Sequence, residues 1–194
     1  MNAPARKTRR PRPALPGTQR PATQDVDAMI RVDHAGEFGA LRIYEGQLAV
    51  LSRTHGGSAG VQAIRQMAAQ EKEHFDAFDR MIKDRAVRPT ALEPMWRAAG
   101  FALGAATALM GEKAAMACTV AVEDVIDEHY TRQIEQLGNS EPVLRATIED
   151  FHADECAHRD EALERGARDA PGYPLLSAAI RLSCRMAIAL SERI

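Results

Sequence analysis

The sequence is short of the residues that mark several common classes of protein. Aromatic residues make up 5% of the 194 positions, and runs of β-branched residues are missing, which favours helices over sheets. The cysteines are odd in number and form no C-x-x-C pair, so no disulfide framework is predicted and a reducing compartment is expected. They are Cys118, Cys156 and Cys184, and we expect Cys156 to be a small buried apolar side chain.

Acidic residues are missing from the start of the chain. Residues 1–24 contain six Lys and Arg residues and five of the ten prolines, which predicts a disordered basic tail. This tail is either a solvated leader or a segment attracted to anionic lipid, and it lacks the apolar stretch of a secretory signal. Residues 25–194 form the predicted domain, whose 27 acidic and 19 basic residues disfavour nucleic-acid binding and suit a divalent cation.

No uncharged run reaches the length of about 20 residues that a membrane span needs. Thr90–Glu93 has the form of a capping box and opens a helical stretch in which residues 98–111 carry no charge. Glu112 and Lys113 interrupt this stretch before a second uncharged run begins. The composition favours a re-entrant or interfacial hydrophobic helix, with a membrane span and a buried helix as the alternatives.

The last segment of the chain is amphipathic. Residues 174–193 place apolar side chains on one side of a helix and Arg181 and Arg185 on another. Such a helix either docks on the rest of the protein or lies at a membrane surface.

Apolar residues recur at steps of three and four through four longer segments, which predicts four amphipathic helices. The first two cover residues 25–53 and 58–85, the third ends at Gly138, and the fourth is capped by Ser140 and ended by Gly166. The expected fold is therefore all-α, with a four-helix bundle and additional hydrophobic or amphipathic helices.

Glutamate and histidine interrupt the apolar faces of these helices in two copies of one arrangement. Residues three apart share a helix face, so each Glu-x-x-His pair can direct a carboxylate and an imidazole to one point. Two such pairs with two single glutamates form the ligand set of a di-iron carboxylate site in a ferritin-like bundle. The six residues are Glu37, Glu71 and His74 in the first copy, and Glu123, Glu155 and His158 in the second.

A third Glu-x-x-His pair, Glu149 and His152, tests how specific the spacing is. Glu149 lies about 600° round the helix from Glu155, and hence about 120° off the face that carries the predicted ligands. We therefore expect Glu149 and His152 on a solvated face. Position within the apolar face, rather than spacing alone, selects the six ligands.

Buried carboxylates without partners are very costly, so four inward glutamates predict either raised pKa values or a bound cation. Two ferrous ions would balance four carboxylates, and oxygen and imidazole donors suit iron or manganese. The alternative is a metal-free bundle with buried ion pairs and hydrogen-bonded core histidines.

Several short segments resemble the demethoxyubiquinone hydroxylase family of ubiquinone biosynthesis over roughly residues 27–194. Asp124 departs from that family, in which a second glutamate often follows the position of Glu123. The segments are Arg31-Val-Asp-His-Ala-Gly-Glu37, Glu71-Lys-Glu-His74, Gly100-Phe-Ala-Leu-Gly104, Ala117-Cys-Thr-Val-Ala-Val-Glu123, His129-Tyr130 and Leu190-Ser-Glu-Arg193.

The resemblance implies a monooxygenase that hydroxylates the ring of a polyprenylated methoxy-methyl-benzoquinone with O2. The same six residues would be its iron ligands, holding two iron ions. It also implies NADH-derived electrons and peripheral attachment to a membrane surface, at the cytoplasmic face of a bacterial membrane or the matrix face in mitochondria. Other proteins of ubiquinone biosynthesis are candidate partners.

The site leaves two roles and three rival functions open. His129 and Tyr130 could orient the quinone or relay an electron or proton, although a core tyrosine is equally compatible. No G-x-G-x-x-G motif follows a strand, so no Rossmann nicotinamide site is predicted. The rivals are a membrane di-iron quinol oxidase, a ferritin-like iron- or peroxide-handling protein, and a structural bundle without metal.

Overall fold

A computed structural model describes the backbone of residues 22–193 and the side chains of residues 25–193. Within this range the chain folds into helices joined by short turns, so the all-α prediction is confirmed. The predicted basic tail lies outside the described residues, apart from residues 22–24 at the start of the first helix. The elements are α1 (Ala22–His55), α2 (Ala59–Asp84), α3 (Glu93–Leu109), α4 (Glu112–Leu137), α5 (Pro142–Glu164), a 3-10 turn (Ala167–Asp169) and α6 (Tyr173–Ser191).

Four of the helices form the bundle. Helix α1 packs on α2 and α4 packs on α5, while α3 lies against α1 and α6 against α4. Two apolar clusters fill the bundle, one around Ile64, Met67 and Met116 and the other around Phe78 and Ile148. The predicted ligands lie between these clusters along each helix, so apolar packing on both sides separates them from bulk water.

The helix ends agree in part with the sequence-based expectations. Ser58 caps α2 by accepting a hydrogen bond of 3.1 Å from the Val61 N–H. Ser140 does not cap α5, because its hydroxyl donates instead to the Leu137 carbonyl at the end of α4. The predicted capping box at Thr90 is also wrong, since Thr90 accepts from the Leu92 N–H and α3 begins after it.

Glycines allow α1 and α3 to approach each other closely. A Cβ atom added at Gly104 would overlap the Ile43 carbonyl, and one added at Gly46 would overlap the Phe101 carbonyl. Contact this close requires small residues on both helices, as in membrane helix pairs. The largely apolar stretch of residues 98–122, which Glu112 and Lys113 interrupt, is divided at Gly111, whose φ of 112° no ordinary side chain favours.

The two halves of that run have different surroundings. Residues 114–122 in α4 are buried in the bundle, whereas α3 and the turn after it expose Phe101, Leu109 and Met110. Helix α6 also exposes large apolar side chains, namely Leu175, Leu182, Met186 and Leu190.

Helix α6 is held on the bundle by two ion pairs. Arg181 donates to Asp124 at 2.9 Å and Arg185 to Glu128 at 2.9 Å, which confirms that α6 docks on α4. In the described part of the chain, α6 is the one helix long and apolar enough to cross a membrane, and 17% of that stretch is buried.

Candidate metal centre

All six predicted ligands lie in one buried layer of the bundle. Each side chain replaces an apolar residue on the inward face of its helix, between the two apolar clusters. None of the six residues is more than 4% exposed. Helix α1 supplies Glu37, α2 supplies Glu71 and His74, α4 supplies Glu123, and α5 supplies Glu155 and His158.

The donor atoms of this layer form two overlapping groups, each with atoms within 4.8 Å of one another. Glu71 and Glu155 belong to both groups and lie where a carboxylate could bridge two ions. The first group is completed by Glu37 and His74, and the second by Glu123 and His158. Each group therefore has its own single glutamate and its own histidine, both from the same copy of the sequence motif.

The two histidines turn one ring nitrogen toward the carboxylates and the other away. His74 Nδ1 lies 3.1 Å from Glu155 Oε1, and His158 Nδ1 lies 3.1 Å from Glu155 Oε2. His74 Nε2 donates to Asp154 Oδ2 at 3.1 Å, and His158 Nε2 donates to Gln70 Oε1 at 2.9 Å. A partner on Nε2 leaves Nδ1 as the nitrogen available to a metal.

Sequence reasoning missed Asp154 and Gln70, yet a signal for them exists. Each residue directly precedes the glutamate of a Glu-x-x-His pair, and each contacts the histidine of the other pair. A polar residue at the same place in both copies is therefore the recognisable feature. Only the packing of α2 against α5 shows that the contacts cross between the copies.

Two buried tyrosines donate hydrogen bonds to the carboxylates. Tyr44 donates to Glu123 Oε1 at 3.1 Å, and Tyr130 donates to Glu37 Oε1. Burial raises the pKa of both phenols well above their ordinary value, so both remain neutral donors. The sequence identifies Tyr130 as a candidate functional residue, whereas Tyr44 is only one of several residues on the apolar face of α1.

His129, which the sequence pairs with Tyr130, points elsewhere. Its Nε2 lies 3.0 Å from Asp33 Oδ1, and Gln133 donates to the same oxygen at 2.8 Å. His129 thus belongs to a polar cluster between α1 and α4. A role for His129 in substrate orientation or in electron or proton relay remains a prediction.

The charges of the layer are poorly balanced by protein groups alone. Burial, and then the charge of Glu155, raise the pKa of Glu71 and Glu123 well above the usual range. Burial opposes ionisation of Glu155 too, but hydrogen bonds from His158 and His74 lower its pKa to about 2. Burial lowers the pKa of His74, and hydrogen bonds to Glu155 and Glu37 outweigh it, raising that pKa to about 10.

One carboxylate oxygen of the layer lacks a hydrogen-bond partner, and a cation could take that partner's place. Glu71 Oε1 is buried and makes no hydrogen bond, although it lies 3.3 Å from His158 Nδ1. An unpaired buried carboxylate oxygen is costly unless an ion binds it. Carboxylate and imidazole donors are those that iron and manganese prefer, and neither group of the described layer includes a thiol.

The third Glu-x-x-His pair stays outside this layer, as its helical phase predicts. Glu149 is exposed and accepts from Arg145 at 2.8 Å. His152 is half-buried rather than fully solvated, because its Nε2 lies 2.6 Å from Asp127 Oδ1 on α4. The expectation that Cys156 is a buried apolar side chain is also wrong. Cys156 lies on the outer face between α4 and α5 and is half-exposed.

An apolar cavity of about 160 Å³ lies beside the layer, between α1, α3, α4 and α6. Its walls include Gly39, Trp96 and Ile188. Three of its lining residues, Ala40, Ile43 and Val122, also lie beside Tyr44 and Glu123, where the remaining space is too small for a water molecule. The cavity could therefore hold an apolar molecule near the carboxylates but separated from them.

The chain is similar to known proteins over most of its length. The model of the family described as Ubiquinone biosynthesis protein COQ7 matches residues 24–191. A Rhodospirillum rubrum relative named 3-demethoxyubiquinol 3-hydroxylase is 52% identical over 194 residues, covering 100% of this chain and 89% of the relative. A human relative named NADPH-dependent 3-demethoxyubiquinone 3-hydroxylase, mitochondrial, is 49% identical over 173 residues, covering 87% of this chain and 78% of the relative.

Proposed function

The chain belongs to the COQ7 family of ubiquinone-biosynthesis proteins and is a demethoxyubiquinone hydroxylase; from that premise we propose that two iron ions and O2 carry out its reaction. The observation that carries the proposal is the buried layer with two overlapping sets of carboxylate and imidazole donors. The proposed iron ligands are Glu37, Glu71, His74, Glu123, Glu155 and His158. Bound there, two ferrous ions would supply the reduction of O2 that places one oxygen atom on the quinone ring.

The residues around the layer have separate tasks in this proposal. Tyr44 and Tyr130 fix two carboxylates through hydrogen bonds, and Asp154 and Gln70 fix the two imidazoles. The apolar clusters on both sides exclude water from the centre. These contacts hold the ligands in place before metal binds, which lowers the cost of organising the site.

We propose that the apolar cavity binds the substrate. Its position between α1, α3, α4 and α6 would place a prenyl chain toward the exposed side of α3 and α6, with the ring directed toward Glu123. Leu175, Leu182 and Phe101 on that side would rest on a membrane from which the lipid substrate enters. The location would be the cytoplasmic face of a bacterial membrane, or the matrix face in mitochondria, where other pathway proteins could bind.

The electrons are proposed to derive from NADH, without a Rossmann nicotinamide site in this chain. They would enter through the quinone itself, through nicotinamide bound in another way, or through a partner protein. The described residues contain helices and no strand, whereas a Rossmann site is built on parallel strands.

Lipid analysis tests the hydroxylase and its cavity together. In a strain that lacks its own hydroxylase, the wild-type chain should restore ubiquinone, whereas Glu123→Ala should leave the precursor without the methoxy-site oxygen. Gly39→Leu should also block conversion while iron is retained, because a side chain at Gly39 meets nothing within 4 Å and would fill the cavity. Ala69→Leu, at an exposed position of α2, is the control. Normal ubiquinone with Gly39→Leu would refute the cavity assignment, and failure of the expressed wild-type chain to convert the precursor would refute the function.

A further inference from the structure

A second cluster of metal-binding side chains lies on the outer face between α4 and α5. His152 and Cys156 are four residues apart on α5 and so share one side of the helix. Asp127 faces them from α4. One donor atom of each residue lies within 4.8 Å of the other two, and all three residues are half-buried, so ions from solvent can reach them.

The cluster is separate from the proposed iron centre. Its three residues contribute to neither of the two buried donor groups, although Asp127 lies one helical turn from Glu123 and Cys156 follows Glu155. It also differs in chemistry, because Cys156 is a free thiol and both buried groups consist of carboxylates and imidazoles. A thiol among the donors favours zinc or another soft divalent ion over iron.

The present contacts show what such an ion would replace. His152 Nε2 lies 2.6 Å from Asp127 Oδ1, so a proton now links the two groups. Arg159 donates to Asp127 Oδ2 at 2.7 Å and leaves Oδ1 for the histidine. Asp160 lies one turn beyond Cys156 on α5, and with Asp127 it gives the site two acidic groups against one guanidinium.

We propose that Asp127, His152 and Cys156 bind a zinc ion, with water as the fourth ligand. Zinc takes oxygen and nitrogen at about 2.0–2.2 Å and thiolate sulfur at about 2.3 Å in tetrahedral sites. In a tetrahedral site such donors lie roughly 3.3–3.7 Å apart. His152 Nε2 and Asp127 Oδ1 must therefore separate by about 1 Å, and Cys156 Sγ must lie no more than about 1 Å closer to them, which half-buried side chains can do by rotation. On binding, the Cys156 thiol releases its proton to solvent, and the ion takes the place of the proton between His152 and Asp127.

Zinc at this site would join α4 to α5 beside two of the proposed iron ligands. The ion would bridge a residue one turn from Glu123 to a residue next to Glu155. Its direct effect is to resist separation of the two helices, because either its bond to Asp127 on α4 or both of its bonds to α5 would have to break first. The alternative is that the same residues form only an ion-pair network centred on Asp127.

Cobalt titration of the iron-loaded, full-length protein separates these two possibilities. Cobalt bound to a thiolate gives a near-ultraviolet charge-transfer band that carboxylate and imidazole sites lack. The wild type should show this band at one cobalt per chain, and added zinc should remove it. Cys156→Ser should abolish the band, whereas Cys184→Ser, which changes a half-buried thiol away from the cluster, should keep it.

Two further variants keep the test decisive. His152→Asn should weaken cobalt binding by about tenfold or more, because the site loses its imidazole ligand. Arg159→Gln should strengthen it, because Asp127 then loses its competing partner. Absence of the band in the wild type, or a band unchanged by Cys156→Ser, would overturn the proposal and leave the ion-pair network. Circular dichroism and iron content confirm that each variant is folded.

Discussion

Glu71, at the centre of the bundle, is 1% exposed, whereas Leu175, on the outer side of α6, is 79% exposed. A buried carboxylate and an exposed leucine are both in unfavourable surroundings in a water-soluble protein. The centre buries four carboxylates among apolar clusters, and α3 and α6 turn large apolar side chains outward. A cation at the centre and an apolar phase at the outer side are the two components that our proposal supplies. The contrast between the regions is what a metal centre close to a membrane surface would explain.

The cavity is where the two regions meet. It is walled by α3 and α6 on its outer side and by Ala40, Ile43 and Val122 on its inner side, and these three residues also lie beside Tyr44 and Glu123. In our proposal the prenyl chain of the substrate lies on the outer side of the cavity and the ring on the inner side.

The largest effect is expected where α3 is attached to α1. Gly104→Val should unfold or displace α3, because the Ile43 carbonyl occupies the position of the new Cβ atom. We expect a loss of about 3 kcal/mol or more in the free energy of unfolding, measured by urea denaturation. Gly36→Ala is the matched control, since a Cβ atom there meets nothing within 4 Å. Equal stability of the two variants would contradict the close packing.

The next effect concerns the imidazoles of the centre. Asp154→Ala should weaken iron binding by about 10- to 100-fold, because His74 loses the acceptor that orients its ring. Gln70→Ala should act similarly through His158. Competition with a coloured iron chelator measures both affinities. The control is Asp150→Ala, which changes an exposed acidic residue on the same helix as Asp154. Unchanged iron affinity in both Asp154→Ala and Gln70→Ala would show that these two residues do not position the imidazoles.

Removing one central charge should stabilise the protein when metal is absent. Glu71→Gln should raise the free energy of unfolding of the metal-free protein at pH 8 by about 1–2 kcal/mol, because it removes a costly buried charge. Burial raises the Glu71 pKa above its ordinary value of 4.5, so its ionisation opposes folding above that pH. The gain should therefore shrink as the pH falls toward 4.5. A destabilised variant at pH 8 would contradict this.

The smallest effect is expected on the outer surface. Leu182→Gln should weaken binding to vesicles of anionic and neutral phospholipid by roughly tenfold, because one exposed leucine contributes about 1.5 kcal/mol when buried in lipid. Flotation of vesicles measures the bound fraction. Val143, on α5, is also apolar and is 75% exposed. Val143→Gln should leave vesicle binding unchanged. A similar loss with both variants would mean that α6 has no special role.

Sequence reasoning correctly predicted which polar side chains are buried where a residue interrupted a clear helical pattern. Glu71 and Glu155 stand in apolar faces, and helical phase alone distinguishes Glu155 from Glu149 on the same helix. It could not predict Asp154 or Gln70, because a polar residue beside a helix core usually faces solvent, and only packing between α2 and α5 shows otherwise. The prediction that Ser140 caps α5 was wrong for a related reason. A serine between two helices can form a hydrogen bond with the end of the first helix or with the start of the second.

The iron content of the purified, full-length protein is the most direct test of the proposed centre. Metal analysis after loading with ferrous ion should give two iron ions per chain for the wild type and for Glu149→Ala, the variant of the off-phase Glu-x-x-His pair. Glu71→Ala should bind less than one, because Glu71 belongs to both donor groups. Full iron content in Glu71→Ala, or an equal loss in Glu149→Ala, would contradict the assignment of the centre.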